Sequence, residues 1–192
     1  MRDQSIGDYL GDLADRIPAP GGGAASALHA AQAAALIAMV ARYSDGARYD
    51  TALMSRVISE ADALRERSLA LAAADAEAFE AVSAAYKVPK DEPDRKDLIA
   101  SALSGAARPP AELIDVASRL VSLAEELVPA GNRNLIADVA AAAAAAMAAA
   151  ITARVNIEVN LRGTTDPSAA LADDIVARAE RVVTAVRGEI TS

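Results

Sequence analysis

The sequence has 192 residues, 53% of them apolar, a net charge of −8, no cysteine and one histidine. That length and apolar content suit one hydrophobic core in a single domain over 1–192, and the charge leaves no basic stripe for nucleic-acid phosphates or an anionic membrane surface. Without thiols and with one imidazole, disulfides, cysteine nucleophiles and histidine-rich metal centres are excluded, so no metal site is expected and any chemistry rests on carboxylates, amides, hydroxyls and backbone.

Aromatic residues make up only 3% of the chain and alanine much of its apolar share, which predicts closely approached helices, alanine being the strongest helix former. The start, Met1-Arg2-Asp3-Gln4-Ser5, lacks the basic and apolar runs of a signal peptide, so the cytoplasm is the expected compartment. Ile6, Tyr9, Leu10 and Leu13 recur at helical spacing and predict a short amphipathic helix that Pro18 and Pro20 stop. A second helix, 24–42, is opened by Gly21-Gly22-Gly23 and ended by a loop with Ser44, Asp45 and Gly46. Asp50 or Thr51 is placed to cap the next, an uninterrupted 51–86 with neither glycine nor proline.

Pro89 and Pro93 close that helix, and Asp94 can cap another running to 107. The Pro109-Pro110 pair predicts an interruption before 111–127, and Pro129-Ala130-Gly131 a further break. A second long helix is expected from 134 to 162, then a last one from Asp166-Pro167 to 187. Within it 139–153 is almost wholly apolar but, at some fifteen residues, shorter than the roughly 20 a bilayer span needs, so a buried helix approached closely by its neighbours is predicted. No segment alternates as a strand does. The fold expected is all-α, an up-and-down multi-helix bundle with two long helices at its centre, whose small-residue faces need a partner and so imply a dimer.

Two segments place special backbone and polar side chains in apolar surroundings. One is Pro18-Ala19-Pro20-Gly21-Gly22-Gly23-Ala24-Ala25-Ser26-Ala27, with Met39-Val40-Ala41-Arg42 further along its helix. The other is Gly131-Asn132-Arg133-Asn134-Leu135-Ile136-Ala137-Asp138, with Asn156-Ile157-Glu158-Val159-Asn160-Leu161 closing that helix. Between them lie Asp75-Ala76-Glu77-Ala78-Phe79 and Lys87-Val88-Pro89-Lys90. In this order and at these separations the blocks resemble the formiminotetrahydrofolate cyclodeaminase and methenyltetrahydrofolate cyclohydrolase family, from about Ile6 to Ile190.

The resemblance implies an all-helical homodimer acting on the carbon between N5 and N10 of a tetrahydrofolate substrate, with no tightly bound cofactor. Ring hydrolysis is expected ahead of cyclodeamination, because the 192 residues carry no fused formimino-transferring partner. Three departures stand out: Ala24 and Ala137 replace usual serines, and Ala47-Arg48 a lysine-rich turn. Lost donors motivate the rival expectation of a non-catalytic ligand-binding or interaction module on the same fold.

Consecutive glycines adopt positive φ at little cost, and their amides lead into a helix N-terminus that attracts anions. A tight turn after Pro20 requires the same glycines without any ligand. With the resemblance, Pro20, Gly21, Gly22 and Gly23 are expected to bind substrate, the folate carboxylate resting on the amides. Asp138 falls in the first turns of its helix, where the macrodipole suits a carboxylate and Asn132 or Asn134 could cap; the resemblance adds substrate binding by both asparagines and a catalytic role for Asp138 beside the cationic methenyl carbon. Asp75 sits among alanines, where burial would lift its pKa into an acid–base range, although a solvated face beside Glu77 and Glu80 would explain it too.

Asn156 follows Asp138 by eighteen residues, five turns, so the two share a face about 27 Å apart along the axis. They could meet at one substrate only if this helix paired antiparallel with its twofold mate; otherwise Asn156 binds local backbone. His29 lies near the glycines, but the resemblance calls for no histidine there, and a packed or solvent-facing role is expected.

Overall fold

The computed structural model describes residues 3–161 and 167–191, and all regular structure among them is helical. The helices are α1 (Ile6–Ala14), α2 (Gly22–Arg42), α3 (Thr51–Lys87), α4 (Arg95–Ala106), α5 (Arg108–Ala130), α6 (Ile136–Leu161) and α7 (Pro167–Thr191), with a single 3-10 turn at Arg133–Leu135 before α6. The expected helix end at Arg162 and the expected cap Asp166 fall outside the described residues.

Local chemistry accounts for the ends. The Ser5 hydroxyl accepts from the Asp8 amide to start α1, and Asp50 accepts from the amides of Ala52 and Leu53 to start α3. Asp94 precedes α4 without making a capping bond from its side chain. The helix interruption expected at Pro109 and Pro110 is present but falls just before them, at Ala107. The two prolines lie in the first turn of α5, where a missing N–H costs nothing because that donor would have no intrahelical acceptor. Pro129 likewise stays inside α5, one residue before its end, and Gly131 rather than the proline terminates the helix.

α2 supplies the innermost wall, with Ala30, Ala33, Ala34, Ile37 and Val40 fully buried. It runs antiparallel to α6, since the Ser26 hydroxyl donates to the Ala149 carbonyl at 2.8 Å while Val40, near its other end, packs beside Gly131. α3 crosses the same helix antiparallel and is tied to α5 by ion pairs Arg56–Glu126, Arg67–Glu112 and Arg119–Glu60. α7 closes the far side of α5 and α6 through Arg178–Glu125 and Arg154–Asp173. One connected apolar cluster results, in which Leu120, Leu123, Leu127, Val139, Ile157 and Ile175 fill the spaces between alanines.

The alanine-rich α6 differs from the wholly buried helix expected. Its Ala142, Ala143, Ala146, Ala149, Ala150 and Ala153 face the core, whereas Ala137, Ala141, Ala144, Ile151, Val155 and Val159 face outward. α2 and α6 are both long and apolar enough to cross a bilayer by length and composition; α2 is packed into the core, and α6 is covered on one side only.

Candidate active site

The glycine triplet has a different structural role from the one its sequence suggests. Gly22 and Gly23 belong to the first turn of α2, Gly21 is an extended N-cap (φ −137°, ψ −158°), and the glycine with positive φ among the described residues is Gly46. Gly23 is needed for space: a β-carbon there would run into the Asp75 carboxylate, whereas one at Gly21 or Gly22 meets nothing within 4 Å. Asp75, about two thirds of the way along α3, therefore reaches the N-terminus of α2 and accepts a hydrogen bond from the Ala24 amide. Burial pushes its carboxyl pKa up, and the Ala24 N–H offsets part of that rise. Ala24 acts through its backbone, so the missing serine hydroxyl leaves this donor in place.

Around Asp75 and Gly23, the side chains of Ser26, Leu71, Pro109, Pro110, Leu113 and Asn156 close a small cleft. About 10 Å³ remains between them, room for roughly one water. The Asn156 side-chain nitrogen, Nδ2, is buried without a hydrogen-bond partner among the described residues, an arrangement that costs free energy unless a ligand or water accepts from it. Asn160, one turn on, donates to the Ala106 carbonyl and serves the α4–α6 contact. A carboxyl shifted toward neutrality, a free amide donor and an apolar wall are the parts of a general acid–base site.

The remaining sequence candidates gather at the opposite end of the bundle. Asn132 accepts from the Asn134 amide, donates through Nδ2 to the Tyr43 carbonyl at 2.9 Å, and donates its backbone N–H to the Ser44 hydroxyl at 2.8 Å. It thus fastens the end of α2 to the start of α6. Asn134 and Asn132 also line a cleft of about 430 Å³ with Arg48, Tyr49 and Arg133, in which the Arg48 guanidinium lies 4.7 Å from the Tyr49 ring centre. Half-buried Asp138 sits just beyond, in the first turn of α6.

Within one chain, then, Gly23, Asp75 and Asn156 come together; Pro20, Gly21 and Gly22 precede Gly23 in the chain without lining the cleft, and Asp138 does not join them. Ala149 marks the level of Ser26, and Asp138 lies eleven residues away, about 16 Å along the axis. His29 has a buried Nδ1 without a partner among the described residues and does not line the cleft. Among the described residues no three histidine, aspartate or glutamate side chains are grouped to hold a metal ion.

Sequence reasoning missed Ser26 and the Pro109-Pro110 wall. Ser26 lies three residues after Gly23, hence on the same helix face, a spacing that could have marked it. Nothing local connects residue 110 to residue 75.

A family model described as formiminotransferase-cyclodeaminase matches residues 5–180. The methenyltetrahydrofolate cyclohydrolase of Methylorubrum extorquens is 33% identical over 174 residues, covering 87% of this chain and 84% of that protein. The mouse formimidoyltransferase-cyclodeaminase is 34% identical over 173 residues, of which this chain spans 32% of the length. The crystal structure of formiminotetrahydrofolate cyclodeaminase from Thermotoga maritima superposes with a TM-score of 0.84 at 29% identity, covering 97% of this chain and 96% of the other.

Proposed function

This chain belongs to the formiminotransferase-cyclodeaminase family, and from that membership we propose that it hydrolyses a methenyltetrahydrofolate, with Asp75 as general base. It is a folate one-carbon enzyme, as are the relatives whose names state an activity. The observation that carries the assignment is the carboxyl of Asp75, lifted by burial and facing the unpartnered Asn156 amide across a space of one water.

In the reaction, the water oxygen adds to the bridging carbon of the methenyl cation and Asp75 accepts a proton from it. The carbon–N5 bond then breaks, N5 keeps the electron pair and is protonated, and the former water oxygen becomes the carbonyl of the N10-formyl product. One proton is released overall. Asn156 Nδ2 orients the water and afterwards the developing carbonyl oxygen. Cyclodeamination is the second reading, favoured by the superposition on the Thermotoga maritima cyclodeaminase. There N10 attacks the N5-formimino carbon and the same carboxyl, in its acid form, protonates the departing ammonia.

The working unit in this reading is a cytoplasmic homodimer of up-and-down bundles, each chain one domain over 1–192, with no tightly bound cofactor and neither nucleic acid nor membrane as partner. The acidic charge and the half-covered α6 support it. Mixing the protein with methenyltetrahydrofolate and with 5-formiminotetrahydrofolate, and following the methenyl chromophore, tests the assignment. Loss of the chromophore from the first means hydrolysis, its appearance from the second means cyclodeamination, and no change with either favours a non-catalytic module.

A further inference from the structure

Ser26 is fully buried on the face of α2 that carries Gly23, and its hydroxyl proton is committed to the Ala149 carbonyl at 2.8 Å. A hydroxyl that has donated its proton keeps its lone pairs, so toward the rest of the cleft Ser26 is an acceptor only. The same bond fixes where α6 stands against α2. Asn156 follows Ala149 by seven residues, two turns, and so lies on the same face about 10 Å further along the axis. Helix side chains lean toward the N-terminus, whereas helix carbonyls point toward the C-terminus. The Asn156 amide therefore leans back and the Ser26–Ala149 bond reaches forward, and both side chains line one small space.

The polar groups around that space form a set with one member missing. Asp75 accepts from the Ala24 N–H and has a further acceptor to offer; Ser26 supplies a second, and Asn156 Nδ2 is a donor without a partner among the described residues. Leu71, Leu113, Pro109 and Pro110 complete the walls and bring no polar side chain. A water molecule has two protons and two lone pairs. In the roughly 10 Å³ between these groups, it gives one proton to Asp75 and one to Ser26, and receives the Asn156 N–H on one lone pair. The other lone pair is all that remains to meet the methenyl carbon. A Ser26 hydroxyl free to donate would let the water turn and present a proton instead; the bond to Ala149 removes that orientation.

We propose that Ser26 is the third hydrogen-bond partner of the reacting water, and that two acceptors and one donor select water over an amine at this position. The substrate in this account rests on the folate reading above; the water site does not. As the oxygen–carbon bond forms, Asp75 takes the first proton, and the second stays on the oxygen, held toward Ser26. When the carbon–N5 bond breaks, Asp75 passes the first proton to N5, and the second leaves as the carbonyl forms, which is the one proton released overall. Ser26 keeps its own proton on Ala149 throughout. An ammonia leaving in cyclodeamination directs its lone pair at the carbon it has just left and offers the Asn156 N–H no acceptor, so hydrolysis is the faster reaction here.

A crystal structure of the unliganded protein, at a resolution that shows ordered water, tests the site without any activity. One water should lie within about 3 Å of Ser26 Oγ, the Asp75 carboxyl and Asn156 Nδ2; a dry cleft, or a water beyond reach of Ser26 Oγ, overturns the proposal. In turnover, Ser26→Ala should lower kcat for hydrolysis about tenfold, the scale of one hydrogen bond, and leave KM within about twofold. The acid limb of its pH profile should stay at the raised position that burial of Asp75 sets. If Ser26 served only to tie α2 to α6, losing it would open the cleft and return the limb toward the ordinary aspartate range. An unchanged kcat, or a limb that moves in this way, overturns the role. Ser26→Ala combined with Asn156→Ala should cost less than the product of the two single losses, since both side chains hold the same water; independent losses count against it. Faster cyclodeamination than hydrolysis by the wild type overturns the selection of water. A wild type inactive on both substrates sinks the folate reading, and the crystal structure then decides the water site by itself.

Discussion

The Asp75 carboxylate stands where the β-carbon of any residue other than glycine at position 23 would have to be. The acid and the glycine are therefore one device, assembled from residues fifty-two positions apart on α3 and α2.

Gly23→Ala should displace Asp75 and break its bond to the Ala24 amide, lowering turnover by about two orders of magnitude, the usual scale for a mispositioned acid–base group. Gly22→Ala, whose β-carbon meets nothing within 4 Å, should leave turnover within about twofold and the melting temperature unchanged or slightly higher. Steady-state kinetics on both variants check the contrast. Equal losses would show that the triplet acts through backbone freedom and not through space at residue 23.

Asp75→Asn keeps the size of the side chain and an acceptor for the Ala24 amide but removes the base. Turnover should drop by about 100-fold or more. Stability should move the other way. Burial raises the folded-state pKa of Asp75, so its carboxyl favours the fold when protonated, and that contribution is lost as pH rises from the ordinary aspartate range through the raised value. The variant should thus match wild type in melting temperature at low pH and exceed it at pH 7. A variant less stable than wild type at pH 7 would contradict the buried-carboxyl account.

If Asp75 is the base, kcat/KM for hydrolysis, corrected for the spontaneous reaction, should rise with pH through a pKa above the ordinary aspartate range, since burial shifts it upward. The acid limb should vanish in Asp75→Asn. A limb at an unshifted carboxylate value would point to another group.

Asp138→Asn should reduce turnover by about two orders of magnitude with an unchanged circular dichroism spectrum, because the substitution removes a charge and leaves the helix start intact. Wild-type turnover in this variant would remove Asp138 from the site.

Gly131→Ala should cost stability without touching the cleft. Its β-carbon would lie 2.8 Å from the Leu127 carbonyl oxygen and 3.3 Å from Val40, so α5 must shift at its C-terminus against α2. A loss of about 1–3 kcal/mol in chemical denaturation is expected.

How much the chain reveals by itself follows from the range of the forces involved. Helix starts and stops are local: Ser5, Asp50 and Gly131 act on amides and carbonyls within four residues, and alanine needs no distant partner to stay helical. The all-α class, the long uninterrupted α3 and the separation of Asp138 from Asn156 were legible for that reason, since helical rise alone sets such a distance. Proline located the breaks on either side of α5 only to within a few residues, because position within the helix decides whether Pro109, Pro110 and Pro129 end it or fit inside it. The Gly21-Gly22-Gly23 run is a case where the local reading and the packing differ. Its sequence suggests backbone freedom, while the requirement is an absence of side-chain volume that only the crossing of α2 and α3 creates. The company of Asn156 was likewise decided by tertiary packing, because burial of its Nδ2 and of Asp75 depends on walls from α2, α3 and α5 that no spacing along α6 encodes.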